Sequence, residues 1–386
     1  MITALAVENY RSLRRLVVPL RRVTVVTGAN GTGKSSLYRA LRVLADAARN
    51  GAVAALAGEG GLASTLWAGP EQATFSQRDG APGGGPAGLR LGFAGDEFGY
   101  AIDFGLPNIT GSMFVRDPEI KAEASWAGPV LRPATLLAER AGSAVRIRTE
   151  DGGWHRVPHR LRPYDSMLSE LADPQHAAEL MTLREHIRSW RFYDHVRTDA
   201  DAPARSARIG TRTPVLSGDG SDLAAALQTI REIGDDAALD AAVDRAFPGS
   251  RVEITEHGGR FEPVLRQPGL LRPLSAAELS DGTLRYLLWI AALLTPRPPA
   301  LLVLNEPETS LHPELLRPLA ELIATAADHT QILVVTHAGH LASGLEKELA
   351  YAPDTLATTG LVKQSGATAV EGQGLLDEPP WHWPKR

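Results

Sequence analysis

The sequence predicts an α/β fold in which helices alternate with the strands of a doubly wound sheet, and three stretches carry that expectation. RVTVVT (22–27) is a β-branched run that ends at Gly28 and gives way to a glycine-rich turn and a helix. LLVLN (301–305) is an apolar run that leads into a carboxylate, Glu306, and then a turn. QILVV (331–335) repeats the pattern and stops just before His337.

The remaining elements follow in order. Residues 2–7 and 16–20 read as short strands, and 22–27 as a buried one. A helix is expected from about 34 to 48, because Leu37, Leu41 and Leu44 share one face. Residues 51–88, rich in glycine, alanine and proline with GGGP at 83–86, read as an irregular insertion. LRLGFAG and FGYAIDFGL within 89–106 alternate as a hairpin does, and 130–150 holds more extended segments. The pattern turns helical over 165–195, and 221–233 and 236–247 are amphipathic helices. RVEITEHGGRFEPVL (251–265) reads as a hairpin turning at Gly258-Gly259. A helix at 281–294, strand 300–304, helix 313–327, strand 331–335 and helix 339–347 complete the series, with no internal repeat.

Composition narrows the function classes. The chain has 386 residues, 44% hydrophobic and 22% charged, which suits a globular protein with a large core. It has no cysteine, so disulfides, thiolate metal sites and thiol nucleophiles are excluded. The N-terminus lacks the apolar core and cleavage site of a signal peptide. The longest apolar run, YLLWIAALL at 286–294, is about half of what crosses a bilayer. A cytoplasmic protein with no membrane role of its own is expected. A net charge of −5 argues against a surface that coats nucleic acid uniformly.

The strongest motif is GANGTGKS (28–35), which fits G-x-x-x-x-G-K-[ST] between a strand and a helix. Gly28, Gly31 and Gly33 permit the positive φ and close approach that let consecutive amides, from about Gly31 to Ser36, face phosphate oxygens. Asn30 and Thr32 complete the loop. Lys34 would bridge the β- and γ-phosphates of ATP, the Ser35 hydroxyl would ligate Mg²⁺, and Ser36 would touch the α-phosphate. The second motif is LLVLNEPE, a buried strand delivering acidic groups to the metal and the attacking water. Glu306 would polarise that water. Asn305 stands where an aspartate normally helps hold magnesium. It keeps an acceptor oxygen but lacks a charge, and a charge at ~4 Å is worth about 4 kcal/mol gross at an effective dielectric near 20. Asn305 could equally be an ordinary turn residue.

ELSDGTLRYLLWIAALL (278–294) resembles the signature segment of ABC-type ATPases, with Ser280, Asp281 and Gly282 at a helix N-terminus. Read without its neighbours, Ser-Asp-Gly-Thr is a plain N-cap and turn. VVTHAGH (334–340) places His337 where ABC-type heads carry a histidine that contacts the γ-phosphate and the catalytic glutamate. With VENYRSL before GANGTGKSS and NEPETSLHP after the second strand, the chain resembles the non-transporter ABC ATPases, the RecF-like and SMC-like heads and the predicted bacterial AAA-family ATPases with a DEPE-SLHP pattern. The resemblance covers roughly 1–50 and 270–345.

It implies a P-loop NTPase of the ABC-type ATPase head, with an inserted helical and β lobe. The expected division is 1–155 and 251–386 as the two parts of the head and 156–250 as the insert. It also implies a slow ATPase using ATP and Mg²⁺, with Lys34, Glu306 and His337 catalytic and Arg11 near the nucleotide. Ser280, Asp281 and Gly282 would act in trans in an ATP-bound homodimer, acting in DNA repair or recombination. Two alternatives stay open: an ATP-switched binding module with little turnover, and the ATPase subunit of an antiphage system with a separate nuclease or effector. No long heptad arms are present, and the stretch after the helix beyond His337 is too short for a nuclease, so cutting would need a partner. The best DNA-facing patch, Arg184 to Arg212, is interrupted by Glu185, Asp194, Asp199 and Asp201, and reads first as a surface of intramolecular salt bridges. Trp190, Phe192 and Tyr193 read as core.

Overall fold

A computed structural model describes residues 1–69, 88–107, 111–158, 160–194, 196–374 and 377–385. The GGGP stretch at 83–86 lies outside the described residues.

The chain opens with strands Ile2–Tyr10 (β1), Leu13–Pro19 (β2) and Val23–Thr27 (β3), then helices Lys34–Asn50 (α1), Ala52–Gly58 (α2) and Leu62–Thr65 (α3). Six strands follow: Leu89–Gly95 (β4), Phe98–Gly105 (β5), Glu119–Ala127 (β6), Leu136–Ala141 (β7), Ala144–Arg148 (β8) and Trp154–Arg156 (β9). Helices Met167–Glu170 (α4) and Ala178–Ser189 (α5) lead to strands Arg191–Tyr193 (β10) and Arg208–Ile209 (β11). Next are helices Leu223–Ile233 (α6) and Asp236–Ala246 (α7), and strands Arg251–His257 (β12), Arg260–Arg266 (β13) and Leu274–Ser275 (β14). Helix Asp281–Leu293 (α8), strand Leu301–Asn305 (β15), helix Leu316–Ala326 (α9), strand Gln331–Val335 (β16) and helix Gly339–Glu348 (α10) precede a final hairpin, Leu356–Gln364 (β17) and Ala367–Val370 (β18). None of the described helices is long and apolar enough to cross a membrane.

Two compact units divide these elements, one of Met1–Arg21, Val26–Trp190 and Thr359–Arg386, the other of Arg22–Val25 and Arg191–Thr358. The boundaries expected at 155/156 and 250/251 fall within these units.

The first unit is built on an eight-stranded sheet in the order β2-β1-β4-β5-β6-β7-β8-β9. Every neighbouring pair in it is antiparallel; tight connections join pairs such as β1–β2, β4–β5 and β7–β8, whereas β1 meets β4 across a long excursion of the chain. Helix α1 packs on β1 and β4, and its Leu37, Leu41 and Leu44 are fully buried. Trp381 and Trp383 pack against Ala4, Ala94, Ala101 and Trp126.

The second unit holds the parallel strands β10, β15 and β16, with β15 in the middle. A parallel strand buried on both faces reads as continuous apolar sequence, and LLVL and ILVV are accordingly buried throughout. Helices α6 to α10 enclose a core centred on Trp289, Tyr286, Leu287 and Leu304. A smaller antiparallel sheet of β11, β13, β12 and β14 completes the unit, with Gly258 and Gly259 at its hairpin turn, both at positive φ.

Two expectations are corrected, and one element was missed. Residues 52–58 and 62–65 are helical where an irregular insertion was expected, because alanine and leucine there bury one side of short helices. The helical reading over 165–195 ends at Ser189, and Arg191–Tyr193 is a strand paired to β15, where edge burial of Phe192 and Tyr193 overrides the helical spacing. The β17–β18 hairpin was not foreseen.

Candidate functional site

The loop after β3 has the backbone a phosphate cradle needs. Gly28, Gly31 and Gly33 sit at φ 142°, 79° and 109°, and Gly33 heads α1 with no side-chain cap, which leaves the first turn's amides to an outside acceptor. A side chain at Gly28 would run into the Leu361 carbonyl, and one at Gly33 into Thr368 and Ser12. Lys34 is buried, and its ammonium donates to the Gly28 and Ala29 carbonyls at 2.6 and 3.0 Å, so it is held over the loop. Ser35 is exposed and Ser36 half-buried on the first turn. Thr32 is buried and donates its hydroxyl to Ala29, while Asn30 and Gly31 are exposed.

Sequence reasoning missed the buttress beneath this loop. Thr368 of β18 donates its hydroxyl to the Thr32 carbonyl at 2.6 Å, and Ser12 bonds the same hydroxyl at 2.8 Å. No local pattern links residues so far apart in the chain. The alternating sequence around Ser365-Gly366, a turn with both residues at positive φ, was the available signal.

Arg11, at φ 51°, gives its guanidinium to Glu59 at 2.5 Å, and the Tyr10 hydroxyl reaches the same carboxylate at 2.9 Å. Burial, and then the Glu59 carboxylate, push the Tyr10 phenol above its ordinary range. The neighbouring Ser12 is the residue of this segment that touches the loop's support.

The second unit carries the carboxylates. Strand β15 ends at Asn305, and Glu306 turns out of it at φ 48° with its amide on the Val335 carbonyl at 2.7 Å. Glu306 Oε1 lies 3.3 Å from His337 Nε2, with the side chains 45% and 36% exposed, so the pair is open to a reactant. Trp289 of α8 donates its indole N–H to the Pro307 carbonyl at 2.9 Å and pins the turn from beneath. Asn305 Oδ1 is buried without a hydrogen-bond partner, and so is Glu308 Oε2. Such orphans are uncommon in folded proteins, and a water or an ion is one group that satisfies them. An acceptor left open at Asn305 fits the metal-bound water expected there. Glu308, which sequence reasoning passed over, accepts on its other oxygen from the Thr336 hydroxyl and the His337 and Ala338 amides.

The signature residues are also in the second unit. Ser280 caps α8 by accepting from the Thr283 amide at 3.1 Å. Gly282 faces the Ser310 carbonyl, where a side chain would collide at 2.6 Å. An open cavity of about 650 Å³ is lined by Ser280, Asp281, Gly282 and Thr283 together with Arg245 and His312. Asp281 is engaged by Arg205 at 2.7 Å. Arg205, 9% exposed, also donates to the carbonyls of Thr198, Ala276 and Leu279, so it holds the signature segment. Others of the arginine patch are likewise paired: Arg188 with Glu185 at 3.2 Å and Arg197 with Asp199 at 2.5 Å. Trp190 and Tyr193 are buried.

Among the described residues, His155, Asp173 and His176 form a group of metal-ligating composition. Its imidazoles stack at 4.1 Å and 11°. Ligand lone pairs lie in the ring plane, so two parallel stacked rings do not converge on one ion without rotating apart.

Three comparisons set this geometry among known proteins. Residues 23–338 match the family described as "AAA domain, putative AbiEii toxin, Type IV TA system". No curated protein matches the sequence. Among solved structures, an SMC head bound to the C-winged helix domain of ScpA is similar over 97% of this chain and 98% of its own, at 13% identity and a TM-score of 0.50. The SMC head domain from Thermotoga maritima aligns over 97% and 99%, at 13% identity and 0.45. An SMC head from Pyrococcus furiosus, with an extended coiled coil and bound to the C-terminal domain of ScpA, aligns over 96% and 95%, at 13% identity and 0.48.

Proposed function

The chain belongs to this AAA-domain family and has the fold of an SMC-like P-loop ATPase head, and from that premise we propose that it hydrolyses ATP slowly to ADP and phosphate. The carrying observation is the loop at 28–36, whose three glycines are all at positive φ and whose lysine is held over it by two carbonyls. In this reading Gly28 to Ser36 hold the phosphates and Lys34 neutralises the β- and γ-phosphates. Ser35, with Asn305 through a water, would hold Mg²⁺, which supplies charge neutralisation at the phosphates. Glu306 orients the attacking water and accepts its proton, and His337 steadies Glu306 through the 3.3 Å contact.

We further infer that two chains close around ATP, each presenting Ser280, Asp281 and Gly282 to the nucleotide of the other. The open cavity at these residues supports that role. The closure would act on DNA or on a protein partner, in repair or recombination. The family description's mention of a toxin–antitoxin system supports a defence role with a separate effector as an alternative setting for the same chemistry.

A second reading, an ATP-bound switch with little turnover, draws on the neutral Asn305. Measuring ATP binding, hydrolysis with and without single- and double-stranded DNA, and oligomeric state separates these readings. Lys34→Ala is expected to abolish ATP binding. ATP affinity retained in that variant would overturn the assignment of the loop.

A further inference from the structure

We propose that Glu308 is a positioning residue whose carboxylate sets the His337 imidazole against Glu306; the inference rests on the ATPase reading above.

Strand β16 ends at Val335, and the His337 and Ala338 amides lie beyond it. Such amides must bond to side chains or water. Glu308 Oε1 takes them: it accepts from the His337 amide at 2.8 Å, the Ala338 amide at 3.2 Å and the Thr336 hydroxyl at 2.6 Å. The Thr336 hydroxyl oxygen also accepts from the Ala338 amide at 2.9 Å, which closes a small network around the one carboxylate oxygen. Hydrogen bonds to a charged acceptor are about twice as strong as neutral ones.

His337 is thereby held at both ends by one turn. Its backbone amide is on Glu308, and its ring Nε2 is 3.3 Å from Glu306 Oε1. The turn is itself anchored, by the Glu306 amide on Val335 at 2.7 Å, the Thr309 amide on Glu306 at 3.1 Å and the Trp289 indole on Pro307 at 2.9 Å. Glu308 therefore transmits the position of the strand-end turn to the histidine loop. Its other oxygen is buried without a partner, so the carboxylate is not fully satisfied by the fold. A residue serving the fold alone would tend to have both oxygens paired.

The test compares the parent protein with Glu308→Asp, Glu308→Gln, His337→Ala and Glu308→Asp/His337→Ala. Aspartate keeps the charge but falls one methylene short of the three donors, whereas glutamine keeps the reach and an acceptor oxygen. Glu308→Asp is expected to lower kcat about ten- to hundredfold, the scale of an ångström-level misplacement, with ATP affinity unchanged. Glu308→Gln should lose less than Glu308→Asp, because it keeps the reach to all three donors although its bonds are weaker. The double variant should be no slower than His337→Ala, because the two residues act through one ring. Additive losses in the double variant, parental kcat in Glu308→Asp, or a matching loss of ATP affinity would each overturn the proposal. Should the parent hydrolyse no ATP, the ATPase reading fails separately. The His337 ring signals in NMR then decide: a larger shift in Glu308→Asp than in Glu308→Gln supports the clamp, and unchanged signals in Glu308→Asp overturn it.

Discussion

Glu123 in the first unit and Glu306 in the second are both carboxylates presented by a sheet, and their surroundings are opposite. Glu123 lies within β6, fully buried beside Arg140 at 3.7 Å. Its oxygens accept from the Tyr100 and Ser166 hydroxyls, both at 2.5 Å, and from the Met167 amide at 2.8 Å. Arg140 is occupied by the carbonyls of Gly142, Arg162 and Asp165. Burial lowers the Arg140 guanidinium from its ordinary range, and burial followed by Glu123 raises the Tyr100 phenol, so these groups' proton affinities are set by the interior. Glu306 instead stands just past the end of a strand, half-exposed, with one imidazole for company and an unpartnered Asn305 oxygen before it in the chain. A saturated buried network can only hold the fold. A carboxylate left unsaturated at the carboxyl end of a parallel strand can act on something else, and that is where ligands bind in open α/β sheets.

Three substitutions put the contrast at risk. Glu306→Gln should have the largest consequence: turnover falls about 10²–10⁴-fold, measured by phosphate release, while the urea midpoint stays put. A large stability loss instead would make Glu306 a fold residue like Glu123. Glu123→Ala should do the reverse and cost about 3–5 kcal/mol of stability, because Arg140 is left buried and unpaired; denaturant unfolding reads this, and turnover per folded molecule should be unchanged. Asn305→Asp should have the smallest effect. It should lower the Mg²⁺ concentration for half-maximal hydrolysis about tenfold, the part of a ~4 kcal/mol gross Coulomb term expected to survive desolvation. A Mg²⁺ dependence identical to the parent's would remove Asn305 as a reason to expect slow turnover.

Much of the candidate site was legible because the chemistry it implies is local. Three glycines and a lysine at fixed spacing can be read without a fold, and so can an apolar strand that stops at a carboxylate. The arginine patch was less legible, because charge along a chain does not say which way a side chain turns. Arg205, in the patch read first as a surface of intramolecular salt bridges, pairs with Asp281 and also organises the signature segment through backbone carbonyls. Glu308 was passed over for the same reason: next to Glu306 it reads as one more acid in a turn, and its partners lie just past the end of the following strand.

The order of residues was sufficient for the strand–loop–helix units, because burial periodicity, positive-φ glycines and helix N-termini depend on neighbours a few positions apart. Only the folded chain decided which groups support them. Thr368 lies 336 residues from the Thr32 carbonyl it holds, and the amides that Glu308 holds are 29 and 30 residues beyond it. Hydrogen bonds of this kind follow from the packing of whole strands, and no window of sequence contains both partners in a recognisable pattern.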